Sequence, residues 1–168
     1  FELDLREKTE CLLLVAKSEP AGERVVGFTT LRRDREPGWR GAVTLFSGDS
    51  VLDQEVWGRR LLERAFFWTI LREKLRAPWR PLHWMLISKG YVTYLMMVRN
   101  FPSSHPRCDR PTPELLRRWI DAYYARRYGS DYHAGEGVIR FENAHGAVRG
   151  RLAEPKGSTR DDPDVRFF

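Results

Sequence analysis

Apolar positions in the first third of the chain fall in short runs separated by polar stretches containing Pro or Gly. Residues Glu10 to Lys17 (ECLLLVAK) end at Ser18-Glu19-Pro20-Ala21-Gly22, which reads as a turn. Arg24 to Leu31 (RVVGFTTL) follows, with β-branched Val25, Val26, Thr29 and Thr30. Two such runs joined by a short Pro/Gly connection predict an antiparallel hairpin. After a polar turn, Arg32 to Trp39, a third strand is expected over Gly41 to Phe46, breaking at Ser47-Gly48-Asp49-Ser50.

The period then changes. From Asp53, a plausible N-cap, to Arg76 the chain is rich in Leu, Arg and Glu and lacks Pro, which predicts a helix. Trp57, Leu61, Ala65, Trp68 and Leu75 mark one apolar side, and Leu62, Phe66 and Ile70 mark the other. A helix apolar on two sides is expected to be covered on two sides. Pro78 and Pro81 end it. A strand over Leu82 to Ser88 and a helix over Tyr91 to Arg99 come next, the helix stopping at Asn100-Phe101-Pro102. A Pro-punctuated loop leads to another helix, with Thr112 as N-cap and Pro113 in its first turn. Leu115, Leu116, Trp119, Ile120 and Tyr123 form its expected apolar face, and Gly129 its end. A short strand over Val138 to Phe141 and an irregular tail from Ala153 onward complete the reading.

Composition narrows the class. A length of 168 residues suits one domain, 1–168, and 42% hydrophobic content excludes a disordered polymer. No run approaches the ~18 apolar residues of a membrane span. Cys11 opens an apolar strand and reads as core. Cys108 lies in the Pro-rich loop. Two distant cysteines give no disulfide framework, so a reducing, cytoplasmic compartment is expected. A chain opening on Phe1 implies a processed or trimmed start. The net charge of +6 (29 Lys+Arg, 23 Asp+Glu) is concentrated. Between Arg59 and Arg80 seven basic residues face two acidic ones, Glu63 and Glu73.

The order strand–strand–strand–helix–strand–helix resembles the central part of the GNAT acyltransferase fold. The segment Trp57-Gly58-Arg59-Arg60-Leu61-Leu62 is similar to the GNAT helix start that holds the pyrophosphate of acyl-CoA. Tyr94 to Phe101 (YLMMVRNF) resembles the GNAT helix ending in Gly-Phe, with Asn100 in place of the glycine. The resemblance covers Glu10 to Phe101. It implies an α/β fold with a mixed, mostly antiparallel central sheet flanked by helices over residues 9–101. A helix-and-strand extension over 102–152 and the irregular tail over 153–168 would follow. Further positions depart from the family: Glu55 stands where its phosphate loop has Gln or Arg, Arg60 where that loop has Gly or Ala, and Met97 where many members carry a tyrosine acid. Leu45-Phe46-Ser47-Gly48-Asp49, Ile87-Ser88-Lys89-Gly90-Tyr91 and Asn100-Phe101-Pro102 with Pro106-Arg107 also look like a bacterial GNAT-like family without an assigned activity.

The resemblance implies transfer of an acyl group from a thioester, acyl-CoA or acyl carrier protein, to a small amine acceptor. Gly58, Arg59 and Arg60 would bind the donor's phosphate, since free amides at a helix N-terminus favour anions. Asp49 is the candidate base, or else simply turns the chain. Lys89 and Tyr91, at a strand end where α/β sheets bind ligands, are candidates to polarise or protonate. Alternatively Lys89 is a solvated charge and Tyr91 half-buried core. His105 is a candidate proton carrier on a loop. One His-x-x-Cys, His105 to Cys108, falls short of a zinc pattern, so no metal is expected. His83 reads as a partly buried strand histidine. An acyl-homoserine-lactone-synthase-like enzyme using acyl carrier protein is one alternative. A non-catalytic nucleic-acid or protein-binding module is another, because Trp57, Trp68, Trp79 and Trp84 interleave with arginines. The core-like spacing of these tryptophans and the lack of a known motif make nucleic acid the less favoured partner.

Overall fold

Strand β1 (Glu10–Ser18) pairs antiparallel with β2 (Gly22–Arg35), and β2 pairs antiparallel with β3 (Val43–Leu52). Helix α1 (Leu61–Arg76) then returns the chain so that β4 (Leu82–Leu86) lies parallel to β3. The result is a four-stranded mixed sheet in the order β1-β2-β3-β4, the α/β architecture that the resemblance implies. The computed structural model describes residues 6–18, 22–35, 41–142, 155 and 157–168. The middle of the expected turn over 18–22 (residues 19–21) and the end of the one over 32–39 (residues 36–39, with residue 40) lie outside these. The chain divides into two compact units, Phe1–Ile87 and Ser88–Phe168.

Several strand boundaries differ from the sequence reading, among them the end of the last strand, Ile139 rather than Phe141. Strand β2 runs through Arg35, because Arg32 to Arg35 pair with Phe46 to Val43. Strand β3 does not break at Ser47 but continues to Leu52. Strand β4 stops at Leu86 rather than Ser88. Alternation places Leu12, Leu14 and Ala16 half-buried, while Cys11 points outward and is exposed rather than core. The core of this unit is centred on Phe46, which is 1% exposed, with Val26, Leu31 and Leu45 around it.

The expected helix from Asp53 is two elements. Asp53 caps a single 3-10 turn, Gln54–Val56, its carboxylate accepting from the Glu55 amide. The α-helix begins only at Leu61, because Gly58 (φ 80°) and Arg60 (φ 55°) are left-handed and cannot continue a right-handed helix. Phe66, Thr69 and Glu73 are the buried face of α1. Phe66 packs on the Trp84 ring of β4 at 4.7 Å between centroids. The other apolar side is only partly covered: Leu61 and Ala65 are half-buried, but Trp68 is 64% and Leu75 is 75% exposed. Glu73 is the unexpected member of the buried face. Arg33 of β2 lies 3.0 Å from its carboxylate and Arg76 lies 3.2 Å away.

In the second unit, α2 (Tyr91–Asn100) buries Leu95 and Val98. Helix α3 (Glu114–Tyr128) starts with Pro113 as N-cap, so Thr112 is not the cap and Pro113 precedes the first turn. Of its expected apolar face only Tyr123 is fully buried, and Leu115 is 69% exposed. Gly129 (φ 55°) ends it as expected. The short strand pair β5 (Tyr132–His133) and β6 (Val138–Ile139) follows, held to α3 by the Tyr132 hydroxyl, which donates to Asp121 at 2.6 Å. The tail is not wholly irregular. A 3-10 turn, Gly157–Asp161, leads to α4 (Pro163–Phe167), whose N-cap Asp162 accepts from the Asp164 amide. Residues 143–154 and 156 lie outside the described ones. Among the described residues no helix is long and apolar enough to cross a membrane.

Burial is the largest single influence on the Glu73 carboxyl and pushes its pKa up, but hydrogen bonds and charge from Arg33 and Arg76 together outweigh it and hold it below its ordinary value. A carboxylate whose folded pKa is depressed stabilises the fold above its unfolded pKa, and that stability is lost as pH falls through the folded value. Denaturant unfolding followed from pH 7 to pH 3 is therefore expected to show stability falling below about pH 4.5. Glu73→Gln should flatten that decline. Identical slopes for the two proteins would contradict the clamp.

Candidate functional site

The segment read as a turn, Ser47 to Ser50, is a bulge within the sheet. Thr29 pairs with Ser50 and Leu31 with Ser47, so Gly48 and Asp49 together oppose the single residue Thr30. Such a bulge re-aims a side chain while keeping the strand going. Here it brings the Asp49 carboxylate against Lys8 at 3.1 Å and the Thr30 hydroxyl at 3.4 Å. The Asp49 amide in turn donates to that hydroxyl. The Lys8 side chain is 6% exposed, whereas that of Asp49 is 52% exposed and open to a solute. Gly48 has a packing reason: a Cβ there would come within 3.2 Å of Lys8 Nζ and 3.3 Å of the Phe46 ring. The Ser50 hydroxyl is hydrogen-bonded to Thr29 at 2.7 Å and caps no helix.

The start of α1 lies at the same end of the sheet as this bulge. The Asp53 amide donates to Val26 at 2.8 Å, and the Trp57 indole donates to the Leu52 carbonyl at 3.2 Å, tying the loop to the end of β3. Gly58, Arg59 and Arg60 are all exposed. Arg60 is the N-cap and has the left-handed backbone that glycine adopts without strain, although it carries a side chain. No side chain caps this helix.

Lys89, Tyr91 and His105 belong to the second unit. Lys89 is exposed and Tyr91 half-buried. Gly90 caps α2 in an extended conformation (φ −149°), so the turn there does not need glycine. The Ser88 hydroxyl, which accepts from the Gly90 amide, shapes it instead. One turn beyond Tyr91 stands Tyr94, which burial perturbs. Its hydroxyl is buried, with no hydrogen-bond partner among the described residues. Its ring packs on Phe167 and Phe168. Burial first, then the charges of Asp164 and Cys108, push its pKa up to about 12. Around it, Cys108 donates to Asp164 at 3.0 Å, and Arg107 forks onto Asp109 while donating to the Val98 carbonyl. Burial, then the charges of Arg110 and Arg107, lower the pKa of His105. Burial also lowers that of His83, with Lys74 adding to it.

The structure thus places Asp49, Gly58, Arg59 and Arg60 at one end of the first unit's sheet, and Lys89, Tyr91 and His105 in the second unit. Sequence reasoning missed Lys8 and Thr30 as partners of Asp49. The doubled small and polar residues opposite Thr30 were the available signal for a bulge. Asp164 was missed as well, its short capped helix having been read as loose tail. Among the described residues no cluster of His, Cys, Asp and Glu could hold a metal ion.

No protein-family model matches the chain, and no curated protein matches it. Solved structures do. A transcriptional regulator from Bacillus halodurans C-125 is 18% identical with a TM-score of 0.45, over 62% of this chain and 68% of that one. An acetyltransferase from Trypanosoma brucei is 20% identical with a TM-score of 0.42, over 63% and 70%.

A left-handed non-glycine residue costs on the order of 1–2 kcal/mol. Arg60→Gly is therefore expected to match or exceed the parent's stability by up to about 1 kcal/mol, and Arg60→Val to lose about 1–2 kcal/mol. Urea unfolding of the three proteins checks this, and equal stabilities would contradict the conformation. For His105, an NMR titration should place the imidazole midpoint below 6.5, leaving the ring neutral at pH 7.

Proposed function

We propose that the chain is a GNAT-like acyltransferase that moves an acyl group from a thioester donor, acyl-CoA, to a small amine. The observation that carries this reading is the pair of left-handed residues, Gly58 and Arg60, at the start of α1. They turn the backbone as a phosphate-cradling loop requires, so the first amides of a 16-residue helix stay free for the donor's phosphates. Arg59 and Arg60 add positive charge there.

In this reading the amine nitrogen attacks the thioester carbonyl, the carbon–sulfur bond breaks, and the coenzyme leaves as a thiolate. Asp49, oriented by Lys8 and Thr30, takes the proton that the attacking nitrogen loses. The thiolate needs a proton in return. Lys89, Tyr91 and His105 are the candidate donors. His105, neutral at pH 7, suits accepting a proton better than donating one. No covalent enzyme intermediate forms. Holding amine and thioester together supplies much of the catalysis.

The exposed Arg59, Arg60 and Arg64 fit acyl carrier protein as donor equally well, and a direct comparison separates the two. Millimolar CoA or acetyl-CoA is expected to raise Tm by several degrees. Arg59→Glu with Arg60→Glu should abolish the shift, and Asp49→Asn should lower kcat by about 10²–10⁴-fold with the shift retained. No stabilisation by any CoA species would reject CoA as donor, and acyl transfer from neither CoA nor acyl carrier protein would reject the class.

A further inference from the structure

The opposite end of the same sheet holds a second feature, which acyl transfer does not use. The C-terminal end of β2, the first residues of β3 and β4 and the end of α1 enclose a cleft of about 220 Å³. Five cations line it, Arg33, Arg35, Lys74, Arg76 and Arg80, against one carboxylate, Glu73. Glu73 is spent within the protein, since Arg33 and Arg76 both bind it. Lys74 donates to the Arg80 carbonyl at 2.7 Å. Among the described residues the guanidinium groups of Arg35 and Arg80 pair with none. Beside them stands Trp79, a cleft residue that is 81% exposed.

Charge at a helix C-terminus offers a simpler account of Lys74 and Arg76, which offset the negative end of α1. It does not account for Arg33 and Arg35, which come from a strand, or for Arg80, which follows the helix. It accounts still less for an indole left in water, where burial would have gained ~2–3 kcal/mol. Trp68 and Trp57 are exposed as well, at 64% and 51%. Of the four tryptophans interleaved with arginines only Trp84 packs inside, donating to the Ser47 hydroxyl. The core-like spacing that argued against a nucleic-acid surface is therefore not matched by burial.

We propose that this cleft binds single-stranded nucleic acid, its backbone phosphates on Arg35, Arg76 and Arg80 and one base stacked on Trp79. Single strands are favoured because a stacking platform needs an unstacked base, and an arginine-lined recess beside an aromatic ring serves both parts of a nucleotide. A cavity this small suits one phosphate and its sugar rather than the groove of a duplex. Clustered point charges also match phosphates better than the dispersed carboxylates of an acidic peptide. The proposal is independent of the acyl-transfer reading, which concerns the other end of the sheet.

Fluorescence anisotropy of the full chain with a labelled 12-nucleotide oligouridine tests it. Binding is expected at 50 mM salt, with log K falling against log salt at a slope of about −2 for three phosphates. Trp79→Ala should weaken binding about tenfold to hundredfold, and Arg35→Glu with Arg80→Glu should weaken it at least tenfold and flatten the slope. These residues support no described ion pair, so circular dichroism should show both variants folded. Saturating CoA should leave oligonucleotide binding in place. Four results would overturn the proposal: no binding at 50 mM salt, binding unaffected by either variant, full displacement by CoA, or tighter binding of a polyglutamate peptide than of the oligonucleotide.

Discussion

A carboxylate held out of water between two guanidinium groups decides how α1 lies on the sheet. The helix has two apolar stripes. Burying Phe66 or burying Trp68 would each gain a few kcal/mol, so apolar area alone does not choose between them. Glu73 does. Its side chain is 6% exposed, Arg33 reaches it from β2, and Arg76 closes over it from the next turn of the same helix. A buried ion pair adds little net stability over a well-packed apolar substitute, but an unpaired buried carboxylate would cost several kcal/mol. The pair therefore acts on position. With Glu73 facing Arg33, Thr69 and Phe66 follow at helical spacing, Phe66 meets Trp84, and Phe67, Trp68 and Leu75 turn to solvent.

A second constraint works at the other end. The sheet accommodates one extra residue in β3, and Gly48 eases its fit, since a Cβ there would lie 3.2 Å from Lys8 Nζ and 3.3 Å from the Phe46 ring. Gly27 does the same for the end of β3, where a Cβ would sit 2.6 Å from the Val51 carbonyl oxygen. Both glycines lie inside strands, where glycine is otherwise a weak choice. They let the strands close on each other tightly enough for Asp53 to bond Val26 and for the loop to start α1 beside the bulge.

Most of the fold was legible in the sequence because it rests on local patterns. β-Branched runs became strands, and the Leu/Arg/Glu-rich stretch became a helix. Gly129 ended α3. What was not legible depends on partners distant in sequence. Ser-Gly-Asp-Ser has turn chemistry, but the register of β2 made it a bulge. Asp53 is a good cap, yet Gly58 and Arg60 stopped the helix it would have begun. Cys11 fell on the outward side of an edge strand, a matter of register that composition does not reveal. The residues of the candidate site follow the same division. Gly58 to Arg60 could be proposed from their place before α1 and Asp49 from its Ser-Gly-Asp-Ser setting, whereas its partners Lys8 and Thr30 became visible only through the pairing of the strands.

The basic stretch from Arg59 to Arg80 looked like one feature and is two. Cations in the last turn of a helix are favourable there, so Lys74 and Arg76 need no ligand to explain them. Arg59, Arg60 and Arg64 flank the first turn, where the helix end is itself positive and each further cation is unfavourable by roughly 0.3–1 kcal/mol. Glu63 is the only acidic residue in that turn. An anion drawn to that end would offset this repulsion and use the free amides together with the arginines. Charge therefore favours an anion at the start of α1 more than the residue count there suggests. At the far end the cations that neither the helix nor Glu73 requires are Arg35 and Arg80.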